Sequence, residues 1–426
     1  MSGMKIGMIF RKLNVKGGTQ RQGLSLANEL RRRGHEIVIY TFNYSPESCY
    51  PNLLKNFQVH VLPKKETAGT PKFAPTSLLA TSGILDILNE NRQAKKLAAV
   101  MDLDFDVLNP HDQVAYKVAR YYKRHRKNIP SVWNMNDLPL KRWGFDRAHG
   151  CDDTFHHPWY KHLAYRLFDF YDKHAFIKHQ DAIVVVDDFN RKLVGKYLGL
   201  RALTVRSGPD FEYFKFNEKI PPKNSIKILT SGILMPHRRY EDAIRALTIL
   251  KSQGVKPILE IIGDTDNDTK YFARLQQLVR DLKLETEVIF RGRVTDEELI
   301  AAYHNNDVYT FQHHLQSDGL SPFEAAACGC PLIVSKTAGC HEVLTHGENA
   351  LLIEPKNPED YAEKILMLLQ DEQLYRKIAK NSNAFVRGNF SWPKYADGIE
   401  RIMNNVISKN IKSDLIFKTD GISSLT

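Results

Sequence analysis

Short, nearly unbroken apolar runs alternate along this chain with segments whose apolar residues recur every three or four positions. KIGMIF near the N-terminus leads to a glycine turn at Gly17 and Gly18, then to LSLANELRRRG, apolar at helical spacing, and to the strand-like EIVIYTF. That order predicts the opening unit of a parallel, helix-covered sheet. Further strands are predicted at 59–63, 105–109, 131–135 and 181–186, and KKETAGTPKFAPT at 64–76 reads as an exposed loop. After KFNEKIPPKNS at 215–225 the pattern restarts with IKILTSG, and strand and helix alternate again as far as NALLIEP. The reading is two doubly wound, Rossmann-like α/β domains, 1–215 and 216–390, with ligands at the carboxyl ends of strands and in the cleft between them. A closing helix is expected at about 391–410, followed by a tail, 411–426, with no core pattern.

Length and composition agree with two domains. The 426 residues exceed the roughly 250–300 at which a single core stops growing, and a hydrophobic content of 42% suffices for two ordinary cores. No run approaches the roughly 18–20 apolar residues of a membrane span, and the basic N-terminus has too short an apolar core for a signal peptide, so folding in the cytoplasm is expected. Charge is uneven. Residues 1–210 hold 33 Lys and Arg against 20 Asp and Glu, and the remainder 27 against 29. A basic first half suits an acidic partner, such as an anionic membrane surface or a phosphorylated acceptor, or simply a solvated surface. It lacks the aromatic-interleaved basic motifs of nucleic-acid binding. The five cysteines, scattered and odd in number, indicate reduced thiols rather than disulfides or zinc. The pairs His156/His157 and His313/His314 read as surface or pocket residues before metal ligands.

Three stretches can carry chemistry. In GILMPHRRYEDA, at 232–243, Arg238 and Arg239 adjoin a predicted helix start, where free N–H groups favour an anion; they could equally be surface decoration. In QSDGLSPFEAAACGCPLIVS, from Gln316, a turn at Gly319 leads into a small-residue helix that Glu324 is expected to begin. Its carboxylate could accept two hydroxyl hydrogen bonds from a ribose or sugar diol, or could merely complement the helix dipole. The Gly17-Gly18 turn matches neither the dinucleotide fingerprint nor the P-loop. That speaks against an ordinary dehydrogenase or ATPase.

Taken in order, GILMPHRRYEDAI, IIGD, VIFRGRVTDEEL and DGLSPFEAAACGCPLIVSKTAGCHEVLTHGENALLIEP, preceded by FDVLNPHD, SVWNMND and VRSGPDFEYF and followed by FSWPKYADGIE, resemble the retaining GT-B glycosyltransferases of family 4. The resemblance implies transfer of a sugar from a nucleotide-diphosphate sugar to a lipid-linked, glycan or other anionic acceptor, with the acceptor on the N-terminal domain and the donor on the C-terminal one. It implies no cofactor and no bound metal, leaving arginine and helix N-termini to meet the leaving-group charge. By the same resemblance Glu324 would hold the ribose, Arg238 the diphosphate, and the Gly319–Leu320 backbone the sugar. Gly17, Gly18 and Gly232 would approach the donor, Asp318 would lie beside it, and Glu342 would lie near its nucleotide end. Asn136 would stand in the catalytic loop, with His111 and Asp137 toward the acceptor.

The chain departs from the family pattern at three positions. Gln316 replaces the first glutamate of Glu-x7-Glu, Ile233 the arginine after the phosphate-loop glycine, and Asn136 the catalytic-loop histidine. Gln316 and Asn136 still bond hydroxyls, and Asp318 and Asp137 are nearby carboxylates. The expectation is an active transferase with an altered donor sugar, peripheral on the inner membrane face; the alternative is a catalytically silent nucleotide-sugar-binding protein of the same fold.

Overall fold

The computed structural model describes residues 3–62, 84–151 and 159–408. The loop expected at 64–76, His156, His157 and the tail from 411 lie outside the described residues. The first sheet contains β1 (Lys5–Phe10), β2 (Glu36–Thr41), β3 (Val59–Val61), β4 (Val107–His111), β5 (Val132–Met135), β6 (Ala182–Val185) and β7 (Leu203–Thr204), in the spatial order β3-β2-β1-β4-β5-β6-β7. The second contains β8 (Ser225–Ser231), β9 (Lys256–Ile262), β10 (Val288–Gly292), β11 (Val308–Phe311), β12 (Leu332–Ser335) and β13 (Leu351–Ile353), in the order β10-β9-β8-β11-β12-β13. Every pairing is parallel.

Helices cover both faces of each sheet, so the central strands must be apolar throughout rather than alternating. Every residue of β4, β5, β6, β11 and β12 is buried. Strand β4 starts two residues later than the apolar pattern suggests. The Asp106 carboxylate accepts the Lys5 amide at 2.7 Å and so closes the sheet edge instead of extending the ladder.

Each sheet reverses its winding once, between β1 and β4 and between β8 and β11. Loops leaving the carboxyl ends of strands at such a reversal diverge and open a crevice. Gly17 and Gly18 follow β1, Gly232 follows β8 and Gln316 follows β11, so the candidate residues reach these crevices for a topological reason.

The closing helix, Trp392–Ile407, packs on the first domain. Ser391 caps it, accepting the Lys394 amide at 3.3 Å. Its Tyr395, Ala396, Ile399 and Met403 join the core that holds Leu24, Ala27 and Leu30. Full burial of a side chain such as Ile399 or Met403 stabilises by about 1.5–3 kcal/mol, and Arg33 adds bonds to Asp397 at 2.6 Å and Glu400 at 2.9 Å. The chain thus links its two domains twice. All five cysteines are buried free thiols.

Candidate active site

The loop after β8 is shaped by backbone constraints. Gly232 has φ +146, a conformation that side chains other than hydrogen rarely adopt, and a Cβ there would meet Tyr240 Oη at 3.3 Å and Arg238 Nη1 at 3.5 Å. Its carbonyl accepts the Tyr240 hydroxyl at 2.8 Å. A short turn, Pro236–Arg238, then leads into the helix Tyr240–Ser252. The two arginines part company here. Arg239 is tied to Glu241 at 2.8 Å and Asp242 at 2.7 Å. Arg238 has no carboxylate at ion-pair distance among the described residues. Its Nη1 donates to His313 Nδ1 at 2.8 Å, and its Nε is buried without a partner. Burial pushes the Arg238 pKa down, yet guanidinium remains charged at neutral pH. A desolvated cation lacking a counter-ion is costly unless a ligand completes it.

A second guanidinium approaches from the first domain. Arg147, on the helix Lys141–Cys151, pairs with Asp137 at 3.1 Å and keeps a buried, unpartnered Nε. After burial, Arg147 and Arg238 are the next causes that push the His237 pKa far below its usual value. His313 is driven down the same way, by burial and then Arg238. Both histidines are neutral and can offer hydrogen bonds without adding charge. The Asn136 Oδ1 is also buried and unpartnered. Across the cleft the helix Gly18–Arg32 starts at Gly17 with no side-chain cap, so its first amide groups remain available.

The stretch from Gln316 corrects one expectation. The helix spans Leu320–Ala327 and begins after Gly319, at φ +106, so Glu324 lies a full turn inside it rather than at its start. The glycine is required because a Cβ would press on the Phe311 ring at 2.8 Å. Glu324 is only 5% exposed. Its Oε2 accepts the Tyr303 hydroxyl at 3.2 Å and its Oε1 accepts Arg21 Nη1 at 2.7 Å. Arg21 comes from the first turn of Gly18–Arg32 and lies over the rings of Tyr50 and Phe214, at 5.1 and 5.4 Å. Gln316 turns its side-chain amide to Ser317, donating to the backbone carbonyl at 3.1 Å, while the Gln316 backbone carbonyl accepts the Gly339 amide at 2.8 Å.

Asp318 and Glu342 belong to a separate junction. Glu342 accepts Arg206 Nη2 at 2.6 Å and the Asp188 amide at 2.8 Å, while Arg206 Nη1 stands 3.7 Å from Asp318. The Asp318 amide donates to Asp187, which also caps the helix Asp188–Leu193. Burial, reinforced by the neighbouring carboxylates, raises the Asp318 pKa to about 8 and the Asp187 pKa to about 6. Glu342 therefore faces the first domain rather than the Glu324 carboxylate.

His111 is fully buried, stacked on Phe10 at 4.8 Å and bonded to Asn109 at 2.8 Å, with burial lowering its pKa to about 3. Its position at the end of β4 turns the ring onto Phe10, with Nδ1 buried and without a hydrogen-bond partner. Arg21, Arg206 and Asp187 went unnoticed in the sequence because each meets partners from the opposite domain, and Arg147 because only the fold brings it beside Arg238. Among the described residues no group of acidic, histidine or cysteine side chains could hold a metal ion.

Comparisons with known proteins bear on both halves. Residues 212–385 match the model for glycosyl transferases group 1, and residues 16–207 match that for glycosyltransferase family 4. N-acetyl-alpha-D-glucosaminyl L-malate synthase of Bacillus anthracis is 29% identical over 415 residues, covering 92% of this chain and 94% of the relative. Phosphatidyl-myo-inositol mannosyltransferase of Mycobacterium tuberculosis is 24% identical, covering 96% of this chain and 99% of the relative. The crystal structure of Anabaena Alr3699/HepE in complex with UDP and glucose superposes with a TM-score of 0.71 at 18% identity, covering 94% of this chain and 99% of that one.

Proposed function

This chain belongs to the GT-B glycosyltransferases of group 1/family 4, and from that membership we propose that it transfers a sugar, with retention at the anomeric carbon, from a nucleotide-diphosphate sugar to a lipid-linked or other anionic acceptor. The observation that carries the donor assignment is the Arg238 guanidinium, desolvated and without a carboxylate. A diphosphate supplies the missing negative charge, bidentately if geometry allows. Arg147 and the uncapped amides at Gly17 and Gly18 complete the charge from the other domain. Glu324 accepts the ribose hydroxyls. The Gly319–Leu320 amides face the sugar, and Gln316 replaces a charged contact there with a neutral one.

In the transfer, the acceptor oxygen bonds to the anomeric carbon as the bond from that carbon to the diphosphate breaks. The acceptor proton passes to the departing phosphate oxygen, so no titrating base is needed where Asn136 stands. Asn136 and Asp137 orient the acceptor hydroxyl, and Arg238 stabilises the diphosphate as its charge grows. Since guanidinium and amide groups supply the charge, activity should survive chelation of divalent metal. Among described residues no helix is long and apolar enough to cross a membrane. The test is incubation with a panel of nucleotide sugars and a lipid-linked acceptor, with the product's anomeric configuration read by NMR. An inverted product would overturn retention, and no donor turnover with any member would overturn the assignment.

A further inference from the structure

The helix Trp159–Ala175 buries none of its residues fully, although it is rich in large apolar side chains. Trp159 is 76% exposed, Tyr160 56%, Leu163 53%, Leu167 63% and Phe170 62%. At helical spacing these positions, with Tyr171, fall within about 120° of the circumference, a single stripe. A monomeric domain rarely leaves a patch of this kind in water without a use for it.

The charges on the helix are sorted. Its acids turn inward: Asp169 accepts the Lys141 amide at 2.8 Å and the Arg142 amide at 3.0 Å, and Asp172 binds Tyr116 and, at 3.2 Å, Lys117. Of its bases, Arg166 and Lys173 run along one edge of the stripe, and neither forms an ion pair among the described residues. An apolar band bordered on one edge by unpaired cations matches an anionic lipid interface, where rings and leucines enter the acyl boundary and the cations reach headgroups.

Position adds a second argument. The helix packs against Lys141–Cys151, which in turn touches the turn Pro236–Arg238, and Arg239 Nη1 donates to the Cys151 carbonyl at 3.4 Å. The stripe is thus two helices from the proposed diphosphate site, on the acceptor-binding domain.

We propose that Trp159–Ala175 is the membrane-docking element of this enzyme, lying in the plane of an anionic bilayer so that the cleft meets a lipid-linked acceptor at its surface. This rests on the proposed acceptor class, but docking can be measured without donor or acceptor. The full chain should co-sediment with phosphatidylcholine vesicles containing phosphatidylglycerol about tenfold more strongly than with pure phosphatidylcholine, the difference shrinking with salt. Trp159 fluorescence should shift to the blue on binding, and Trp159→Phe should abolish that shift. A triple variant, Leu163→Gln with Leu167→Gln and Phe170→Gln, should lose at least about tenfold in vesicle binding while releasing nucleotide from donor into water at the wild-type rate.

Equal binding to both vesicle types, or unchanged binding by the triple variant, would overturn the docking surface. So would a wild-type dimer that the triple variant dissociates, since the stripe would then cover a second copy. If docking fails while transfer to a solubilised acceptor proceeds, the proposed function stands. If vesicles bind but no lipid acceptor is glycosylated, the acceptor class is wrong and the surface stands.

Discussion

Two clusters of charge lie between the domains, and they are built in opposite ways. Around Arg206 the cation is surrounded by Asp187, Asp318 and Glu342, contributed by both domains, with their bonds directed at one another. Around Arg238 a second cation, Arg147, and the neutral His237 and His313 gather, with unpartnered nitrogens on both guanidinium groups. The first cluster joins the domains through the Arg206–Glu342 pair at 2.6 Å, although Arg206 Nη1 and Asp318 Oδ1 also lack a hydrogen-bond partner. In the second, Arg147 has Asp137 at 3.1 Å, but Arg238 has no carboxylate at ion-pair distance among the described residues. Neighbours in sequence repeat the contrast, since Arg239 is consumed by Glu241 and Asp242 while Arg238 is left for a ligand. Arginine count alone therefore says little, and what separates a structural guanidinium from a binding one is whether the fold supplies its carboxylate.

The sharpest way to break this comparison is Arg238→Ala. Transfer should fall about 10²–10³-fold, as when a donor to developing charge is removed, while binding of the bare nucleoside should change less than about threefold; steady-state kinetics and calorimetry read the two quantities. Arg206→Ala should do the reverse. Leaving Glu342 and Asp187 without their counter-cation should cost about 3 kcal/mol of stability in denaturant melts, with the variant still binding nucleotide where it remains folded.

The pH dependence of stability isolates the Arg206 cluster further. Folded Asp318 keeps its proton to about pH 8, whereas the unfolded chain releases it near the ordinary carboxylate value. The folded state therefore binds more protons across that window, and the stability from this group is full at low pH and lost as pH rises toward 8. Asp318→Asn should flatten the fall between pH 4 and 8 by about 2 kcal/mol, measured as melting temperature against pH. The smallest effect is expected at Gln316→Glu, which should shift the ratio of kcat/KM between two donor sugars by about tenfold. An unchanged ratio would remove residue 316 from the sugar.

Much of this was legible before the structure. The continuous apolar strands and the restart after 215–225 predict two parallel sheets, since strands covered on both faces cannot alternate. Gly232, Arg238 and Gly319 stand out because turns at the carboxyl ends of strands have few chemical options. One reading failed for a local reason: Glu324 is expected at a helix start because nothing in the letters shows that Gly319 initiates the helix. Arg21 and Arg206 were invisible because their partners are far away in sequence. The amphipathic stripe of Trp159–Ala175 carried a readable period, but only the structure shows how exposed Trp159, Leu163, Leu167 and Phe170 are.

The central claim is that the Arg238 cluster is completed by a diphosphate. Thermal shift of the wild type and of Arg238→Ala with a nucleoside and its diphosphate, over the common bases, tests it most directly, because a ligand bound only by the folded state raises its melting temperature. The account predicts that one diphosphate stabilises the wild type well beyond its nucleoside and that the variant loses this difference. Equal stabilisation by nucleoside and diphosphate, or an undiminished difference in the variant, would contradict it.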